Sequence, residues 1–272
     1  MWRKGVLFLL LPTGLLMVGI LMTPKMTQPG ATEQGYSIAV VYDNYRTKPG
    51  LTTGWGFGCV IRTPEKKILF DTGGDSSVLL SNMKMLNINP QSIEIVVISH
   101  IHADHLGGLG GFLPKNPRVS VYVPASFPES IKEEIRLFGA ECRSVEKAIP
   151  IVRNVFSTGE MGTSIKEQSI LLDTPKGVIV MTGCAHPGIV NIIKKAKKIR
   201  PDKQIYLVMG GFHLGGVSDS KLRSIIREFR NLGVRKVGPC HCSGDRCREL
   251  FAEEYAGDYV DMGVGRVMAF ES

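Results

Sequence analysis

Short apolar runs alternate along this chain with longer segments in which apolar residues recur at helical spacing. A run of four to eight apolar or β-branched residues between turn residues is typical of a strand, whereas apolar residues at i, i+3 and i+4 indicate a helix. The first pattern predicts strands at 36–42, 55–62, 67–70, 95–98, 119–123, 169–172, 178–181, 205–208, 234–237 and 266–270. The second pattern predicts helices at 76–86, 129–138, 188–199, 220–231 and 246–255.

The order of these elements limits the fold class. Strands and helices alternate in both halves of the chain, which predicts an α/β protein. Two β-sheets with helices on their outer faces, a four-layered αββα sandwich, accommodate this order. A single doubly wound sheet is the alternative, and the hydrophobic pattern alone does not separate the two layouts.

The first residues form a segment of a different kind. Residues 5–24 contain no charged side chain and follow Arg3 and Lys4. A helix of about twenty residues just spans the hydrocarbon core of a bilayer, which is about 30 Å thick. We therefore predict an N-terminal hydrophobic helix over 1–24 as a transmembrane anchor or signal, a linker over 25–35 and a catalytic domain over 36–272. The protein would then be membrane-anchored or secreted, with the catalytic domain outside the cytoplasm.

Composition places the chain among folded proteins. Of its 272 residues, 43% are hydrophobic and 21% are charged, which excludes a disordered or fibrous protein. The formal net charge of +8 is compatible with an anionic small-molecule substrate. We expect no nucleic-acid partner, because the chain has no long basic run with interleaved aromatic residues.

A cluster of residue types that bind metals follows the predicted strand at 95–98. Residues 100–105 read HIHADH, so three of the six histidines and one carboxylate lie within this short segment. Alternation along an extended backbone turns His100 and His102 to the same side, and Asp104 and His105 follow around the turn. Imidazole suits zinc, iron or manganese, and carboxylate broadens the choice of ion. The segment predicts a metal site, with a solvated polar loop as the alternative.

This motif after a strand resembles the signature of the metallo-β-lactamase fold superfamily. Residues 68–73 (ILFDTG), 178–184 (VIVMTGC) and 238–241 (GPCH) resemble further elements of that superfamily in the same order. Five segments resemble one branch, the dihydropterin synthase-like metal-dependent hydrolases: residues 43–44 (DN) after the first strand, 70–74 (FDTGG), 183–188 (GCAHPG), 210–214 (GGFHL) and 239–242 (PCHC). That branch takes its label from 7,8-dihydropterin-6-methyl-4-(β-D-ribofuranosyl)aminobenzene-5'-phosphate synthase.

The resemblance implies two divalent metal ions, zinc in the first place, with iron or manganese as alternatives. The ligand set it implies consists of five histidines and one aspartate: His100, His102 and His186 at one ion, and Asp104, His105 and His241 at the other. The chain also departs from the superfamily. No histidine lies between His105 and His186, and Cys184 stands where a bridging aspartate is usual. Strand-like alternation turns Cys240 and Cys242 away from His241, where they would support the site or form a disulfide.

Three more residues belong to the predicted site with alternatives left open. Cys184 is interpreted either as a thiolate ligand or as a small buried residue packed beneath the site. Asp71 is interpreted as a carboxylate that holds a ligand histidine, or as a plain turn residue. His213, in a glycine-rich loop, is interpreted as a catalytic group that binds metal, orients substrate or donates a proton, or as a hydrogen-bonded loop histidine. Asp104 is the second catalytic candidate.

The function that the resemblance implies is metal-dependent hydrolysis. A metal-bound hydroxide would attack an ester, phosphodiester or related bond. Two alternatives remain open: a synthase-type transferase, as the label of the branch implies, and a non-enzymatic metal-binding sensor. Residues 156–166 leave room for a loop that caps a substrate, which favours an enzyme.

Overall fold

The computed structural model describes residues 35–271, and these residues contain two β-sheets. The seven-stranded sheet has the order β13-β1-β2-β3-β4-β5-β6, and the six-stranded sheet has the order β12-β11-β10-β9-β8-β7. The strands of the first are β1 (Gly35–Tyr42), β2 (Gly58–Arg62), β3 (Lys67–Phe70), β4 (Ile95–Val97), β5 (Ser120–Pro124), β6 (Glu141–Val145) and β13 (Val267–Glu271). Those of the second are β7 (Ile149–Val152), β8 (Val155–Ser157), β9 (Ile170–Thr174), β10 (Gly177–Thr182), β11 (Ile205–Gly211) and β12 (Lys236–Cys240).

Seven α-helices connect the strands of this part of the chain. They are α1 (Ser76–Met85), α2 (Ala103–Leu106), α3 (Leu109–Phe112), α4 (Glu129–Leu137), α5 (Ile189–Ile199), α6 (Asp219–Asn231) and α7 (Asp245–Tyr255). Short 3₁₀ turns lie at Pro90–Ser92, Leu113–Lys115, His241–Ser243 and Ala256–Asp258.

Three hydrophobic clusters show how the layers stack. The central cluster joins buried side chains of both sheets, among them Ile38 and Phe70 from the first and Met181 from the second. A second cluster packs α5, α6 and α7 on the outer face of the six-stranded sheet, and a third packs α1, α3 and α4 on the outer face of the other. The layers are therefore helix, sheet, sheet and helix. The αββα prediction is confirmed for residues 35–271, and the single doubly wound sheet is excluded.

Some elements differ from the sequence prediction. The strand predicted from residue 55 begins only at Gly58, because residues 55–57 belong to a loop that contacts the site. Strand β6 was not predicted, since as an edge strand it is largely exposed and carries polar residues. Strands β7 and β8 are short, and β7 contains Pro150, which disfavours a strand prediction.

The sheet topology positions the functional loops. Strands β3, β4 and β5 are parallel neighbours in one sheet, and β10, β11 and β12 are parallel neighbours in the other. The carboxyl ends of parallel strands meet at the same edge of a sheet, where ligands bind in open α/β folds. The loops after β3, β4, β10, β11 and β12 consequently gather the chain's histidines at one rim of the sandwich.

The prediction of a membrane-anchored or secreted location is wrong for the described part of the chain. Among residues 35–271, no helix is long and apolar enough to cross a bilayer. The longest α-helix in this range, Asp219–Asn231, has 13 residues, whereas a span needs about 20 apolar ones. Residues 1–34, which hold the predicted hydrophobic helix and most of the predicted linker, lie outside the described residues.

Candidate metal centre

Four potential ligands converge beside the end of β4. One ligand atom from each of Asp104, His105, Cys184 and His241 lies within 4.8 Å of the others. His105 Nε2 is 3.2 Å from both Cys184 Sγ and His241 Nε2. Asp104 Oδ2 is 3.2 Å from His241 Nε2 and 3.6 Å from His105 Nε2. We call these four residues the first group.

A second group lies next to the first and shares a residue with it. Ligand atoms of His100, Cys184 and His186 also fall within 4.8 Å of one another. The buried Nε2 atoms of His100 and His186 have no hydrogen-bond partner among the described residues. His102 is outside this set of atoms, but its ring centroid lies 4.7 Å from that of His100 and 4.9 Å from that of His186.

The buried carboxylate of Asp71 orients one histidine of the first group directly and one of the second group through Ser99. Asp71 Oδ2 accepts hydrogen bonds of 2.7 Å from His105 Nδ1 and from the Ser99 hydroxyl, and Asp71 Oδ1 accepts one of 2.7 Å from the Ser99 amide. Ser99 Oγ is in turn 2.9 Å from His100 Nδ1. Because the Nδ1 atoms face these partners, the Nε2 atoms of His100 and His105 point towards the cluster.

His241 is held from the other side of the rim. Its Nδ1 is 3.1 Å from Asn44 Oδ1, and Asn44 Nδ2 donates to the His241 carbonyl at 3.3 Å. The backbone of His241 is in the left-handed region, with φ 48°. The Trp55 ring lies against the imidazole at a centroid distance of 4.9 Å, and Trp55 is 62% exposed. Asn44 thus fixes the ring orientation of His241, as Asp71 fixes that of His105.

The turn that carries Cys184 and His186 is built around Glu167. The buried carboxylate of Glu167 accepts three hydrogen bonds, from the amides of Cys184 at 3.0 Å, Ala185 at 2.8 Å and His186 at 2.8 Å. Ala185 has φ 61°, a conformation that is uncommon for a residue with a side chain. Burial raises the pKa of Glu167, while the three amides oppose this shift. Glu167 therefore fixes the direction in which this turn presents its side chains.

Electrostatics keep several of the imidazoles neutral. Burial lowers the pKa of His100 well below its usual range, and the surrounding histidines add to the effect. Burial also lowers the pKa of His241, and it lowers the pKa of His186 to about 4 together with neighbouring imidazoles. Burial opposes the charged form of His105 as well, but the Asp71 carboxylate outweighs it and raises the pKa. A neutral imidazole has a free lone pair, which is the form that binds a metal ion.

Asp104 supplies negative charge to the first group. Burial alone would raise its pKa, but the hydrogen bond with His241 and the charge of His105 lower it well below the usual range. Asp104 is therefore ionised at neutral pH, which is the state in which a carboxylate binds a cation.

A third set of atoms adjoins the two groups. Cys184, Cys242 and His213 each offer a ligand atom within 4.8 Å of the others, and the two Sγ atoms are 3.3 Å apart. His213 is exposed, has φ 52° and lies with its ring centroid 4.5 Å from that of His186. His213 is thus at the solvent-facing rim of the centre.

These residues fit divalent metal ions. The orphaned Nε2 atoms of His100 and His186 are buried, and an unpaired buried polar group is costly unless a ligand satisfies it. The donors combine imidazole, carboxylate and thiol, the ligand types that zinc prefers, and iron and manganese accept the imidazole and carboxylate.

Two cavities open beside His186. One, of about 510 Å³, lies between α5 and α6 and is lined by His186, His213, Lys194 and Lys221 together with other residues of these helices. The other, of about 400 Å³, lies under residues 161–165. Of the residues in the two groups, His186 is the one that lines both cavities.

The chain is similar to known proteins over most of its length. Residues 59–187, which include the HIHADH segment, match the model of the metallo-β-lactamase superfamily. The chain is 30% identical to 7,8-dihydropterin-6-methyl-4-(β-D-ribofuranosyl)-aminobenzene-5'-phosphate synthase of Methanocaldococcus jannaschii, over 86% of this chain and 96% of that protein. The chain belongs to the metallo-β-lactamase superfamily. The predicted resemblance, including that to the dihydropterin synthase-like branch, is confirmed.

Solved structures of this superfamily agree with the assignment. The crystal structure of Tm1679, described as a metal-dependent hydrolase of the β-lactamase superfamily, is 28% identical and superimposes with a TM-score of 0.72, over 87% of this chain and all of that one. The metallo-β-lactamase fold protein YhfI from Bacillus subtilis is 13% identical, with a TM-score of 0.66 over 87% of this chain and 99% of that one. The second likeness concerns the fold alone.

Four residues around the candidate metal centre were not predicted from the sequence. Ser99 and Glu167 contact the site only through hydrogen bonds to its backbone or to another side chain, and such roles leave no spacing pattern. Cys242 was expected to point away from the site by strand alternation, but residues 241–243 form a 3₁₀ turn that brings its Sγ to Cys184. Asn44 stood in a segment typical of the branch, and that segment was the available signal.

Proposed function

We propose that the protein is a metal-dependent hydrolase of ester, phosphodiester or related bonds, with a pair of divalent cations in the two groups. The observation that carries this proposal is the pair of buried, unpartnered Nε2 atoms of His100 and His186 beside a second, acidic group. Bound divalent cations would act as Lewis acids and lower the pKa of water towards about 7. Zinc suits the donors best, with iron or manganese as alternatives.

The ligands follow from the two groups. We assign His100, His102 and His186 to one cation and Asp104, His105 and His241 to the other. Cys184 is the residue common to both groups, so its thiolate would serve as a ligand in each of them. It would replace the bridging aspartate that is usual in the superfamily.

The remaining residues orient the ligands and handle a proton. Asp71 and Asn44 fix the ring orientations of His105 and His241, so that each Nε2 faces the centre. His213 stands at the exposed rim beside His186, where a leaving group would depart. We assign His213 the donation of a proton to that leaving group, from whichever ring nitrogen faces it. Asp104, ionised and next to both His105 and His241, balances the positive charge of the centre.

An anionic substrate fits the cavity between α5 and α6. Lys194 and Lys221 line this cavity, and Glu228 partly balances Lys194 across a distance of 3.7 Å. We expect Lys221→Gln to raise KM for an anionic phosphodiester and to leave KM for a neutral ester unchanged. Lys198→Gln, on an exposed part of α5 outside the cavity, is the matched control. Equal effects of both substitutions would contradict an anionic substrate in this cavity.

A synthase-type transferase is the second candidate. The Methanocaldococcus jannaschii relative carries that name and matches this chain along nearly its whole length. The description of Tm1679 as a hydrolase supports the first candidate. Turnover of simple esters and phosphodiesters without a second organic substrate distinguishes the two, because a transferase requires an acceptor other than water.

The proposal is tested by metal content and turnover measured together. The full chain is stripped with a chelator, reconstituted with zinc, iron or manganese, and analysed for bound metal and for cleavage of a chromogenic phosphodiester and ester. We expect two metals per chain, and we expect His186→Ala and His102→Ala to lose metal and turnover together. Gln91→Ala, at an exposed position in the turn before β4 and so at the opposite end of that strand from the ligands, serves as the control. Full metal content and turnover in both histidine variants would refute the proposed ligand set.

A further inference from the structure

We propose that Cys184 and Cys242 form a redox-active thiol pair, and that their oxidation to a disulfide removes Cys184 from the metal centre. This inference rests on the proposed function, in which Cys184 is the ligand that both cations share. The two Sγ atoms lie 3.3 Å apart. A disulfide bond is about 2.05 Å long, so side-chain rotation has to close a gap of only about 1.2 Å.

The sheet brings these cysteines together across a strand. Cys184 follows β10 and Cys242 follows β12, while β11 lies between those two strands. Strand β11 ends at Gly211, where a Cβ atom would lie 2.7 Å from Cys242 Sγ and 3.2 Å from Cys184 Cα. Any other residue at Gly211 would therefore collide with the Cys242 sulfur and with the Gly183 carbonyl oxygen, which would lie 2.3 Å from the added Cβ. The pair is a consequence of the strand order and of this one glycine.

The two thiols differ in accessibility, which determines the thiol that an oxidant reaches first. Cys184 is 3% exposed, whereas Cys242 is half-buried and adjoins the exposed His213. Hydrogen peroxide therefore meets Cys242 first. The Cys242 thiolate attacks one peroxide oxygen, the O–O bond breaks, and a sulfenic acid and hydroxide form. The Cys184 thiol then attacks the sulfenic sulfur, the S–S bond forms, and water leaves.

The net reaction transfers two electrons from the thiol pair to the peroxide, which becomes two molecules of water. The product disulfide has no thiolate at Cys184. Because a thiolate is the form of cysteine that binds zinc, the oxidised centre keeps only its imidazole and carboxylate ligands. Oxidation should therefore lower metal affinity, and a dithiol reductant should restore it.

The test uses the full-length, zinc-loaded protein. It is treated with excess hydrogen peroxide, quenched with catalase, and analysed by thiol titration, by peptide mass spectrometry and with a chromogenic zinc chelator. We expect the loss of about two thiols per chain, a cross-linked peptide that joins Cys184 to Cys242, and zinc release. Dithiothreitol with added zinc should reverse all three changes.

Two variants separate this inference from general oxidation. Cys242→Ser should give no cross-link and keep its zinc under peroxide, whereas Cys142→Ser, which removes a half-buried thiol of β6, should behave like the wild type. Absence of the Cys184–Cys242 cross-link in the wild type would overturn the inference. If Cys184→Ser nevertheless loses zinc in that case, the proposed function stands. A cross-link formed with full retention of zinc would instead count against Cys184 as a ligand.

Discussion

Asp71 Oδ2 and His105 Nδ1 are joined by a hydrogen bond of 2.7 Å, and both side chains are completely buried. The same carboxylate also accepts two hydrogen bonds from Ser99. Since Asp71 is an acceptor only, the proton of a neutral His105 ring is fixed on Nδ1 and the lone pair on Nε2. The side chain of Asp71 thus turns the lone pair of His105 Nε2 towards Cys184 and His241.

Replacement of Asp71 by Asn should weaken metal binding. The amide group would place N–H donors opposite the His105 and Ser99 donors, and the His105 proton would move to Nε2, where it blocks the lone pair. We expect Asp71→Asn to lower zinc affinity by about 10- to 100-fold, measured by competition with a chelator of known affinity.

Asp173→Asn provides the matched control for loss of a buried carboxylate. Asp173 is 6% exposed, pairs with Arg200 and lies at the end of β9 that is remote from the metal centre. The Asp173→Asn substitution should lower the free energy of unfolding without a change in zinc affinity. Equal zinc affinities for Asp71→Asn and the wild type would show that the hydrogen bond from His105 to Asp71 does not contribute to metal binding.

The sequence was most informative where residues repeat at regular intervals or follow a strand. The apolar runs and helical stripes predicted the major strands and helices, because burial of one face requires that periodicity. The HIHADH segment predicted where the site lies, since six residues at a strand end leave few other arrangements. The edge strand β6 was missed because it buries little and has no apolar periodicity to detect.

The site residues that were missed act through geometry that no pattern records. Glu167 lies 17 to 19 residues from the amides it binds, so the contact depends on how two loops meet. Cys242 depends on the 3₁₀ turn at His241–Ser243, which breaks the strand alternation expected for it. Such contacts between loops are determined by tertiary packing, and local sequence does not specify them.

Glu167→Gln should destabilise the turn at 184–186. The glutamine oxygen can still accept from the Cys184 and Ala185 amides, but its NH₂ group would face the donor N–H of His186. Two buried donors would then oppose each other, which costs about 1–3 kcal/mol. We expect a lower free energy of unfolding in urea and weaker metal binding through His186.

Glu160→Gln tests whether any loop carboxylate has the same effect. Glu160 accepts one exposed hydrogen bond, from the Ser126 amide, so its replacement should change stability little. Comparable losses in the Glu160 and Glu167 variants would argue against a special role for Glu167.

The free energy of unfolding of the metal-free protein should decrease as the pH is lowered through the acid range. Burial lowers the pKa of His100 and His241, and it lowers that of His186 to about 4, whereas an unfolded histidine titrates near 6.5. Between about pH 6.5 and 4 the unfolded chain binds more protons, so the free energy of unfolding decreases as the pH falls. His105, whose pKa Asp71 raises against burial, acts in the opposite sense.

We expect the melting temperature of chelator-treated protein to decrease from pH 7 to pH 4.5. His186→Asn removes one of the titrating groups and should give a shallower decrease. A melting temperature that is constant over this interval in the wild type would show that these histidines are not held neutral.

The loop before β2 gives a prediction that tests the rigidity of the centre from outside its ligands. Gly56 has φ 139°, and a Cβ atom there would lie 2.2 Å from the carbonyl oxygen of Asp104. Gly56→Ala must therefore displace either its own loop or the backbone that carries Asp104, at a cost of about 1–3 kcal/mol for the strained conformation.

Gly110→Ala is the matched control, because no atom lies within 4 Å of its added Cβ and its φ is not positive. We expect the Gly56 variant to bind zinc more weakly, as measured by chelator competition, and the Gly110 variant to bind zinc like the wild type with equal or slightly higher stability. Wild-type zinc affinity in the Gly56 variant would show that the contact between this loop and the Asp104 backbone does not limit zinc binding.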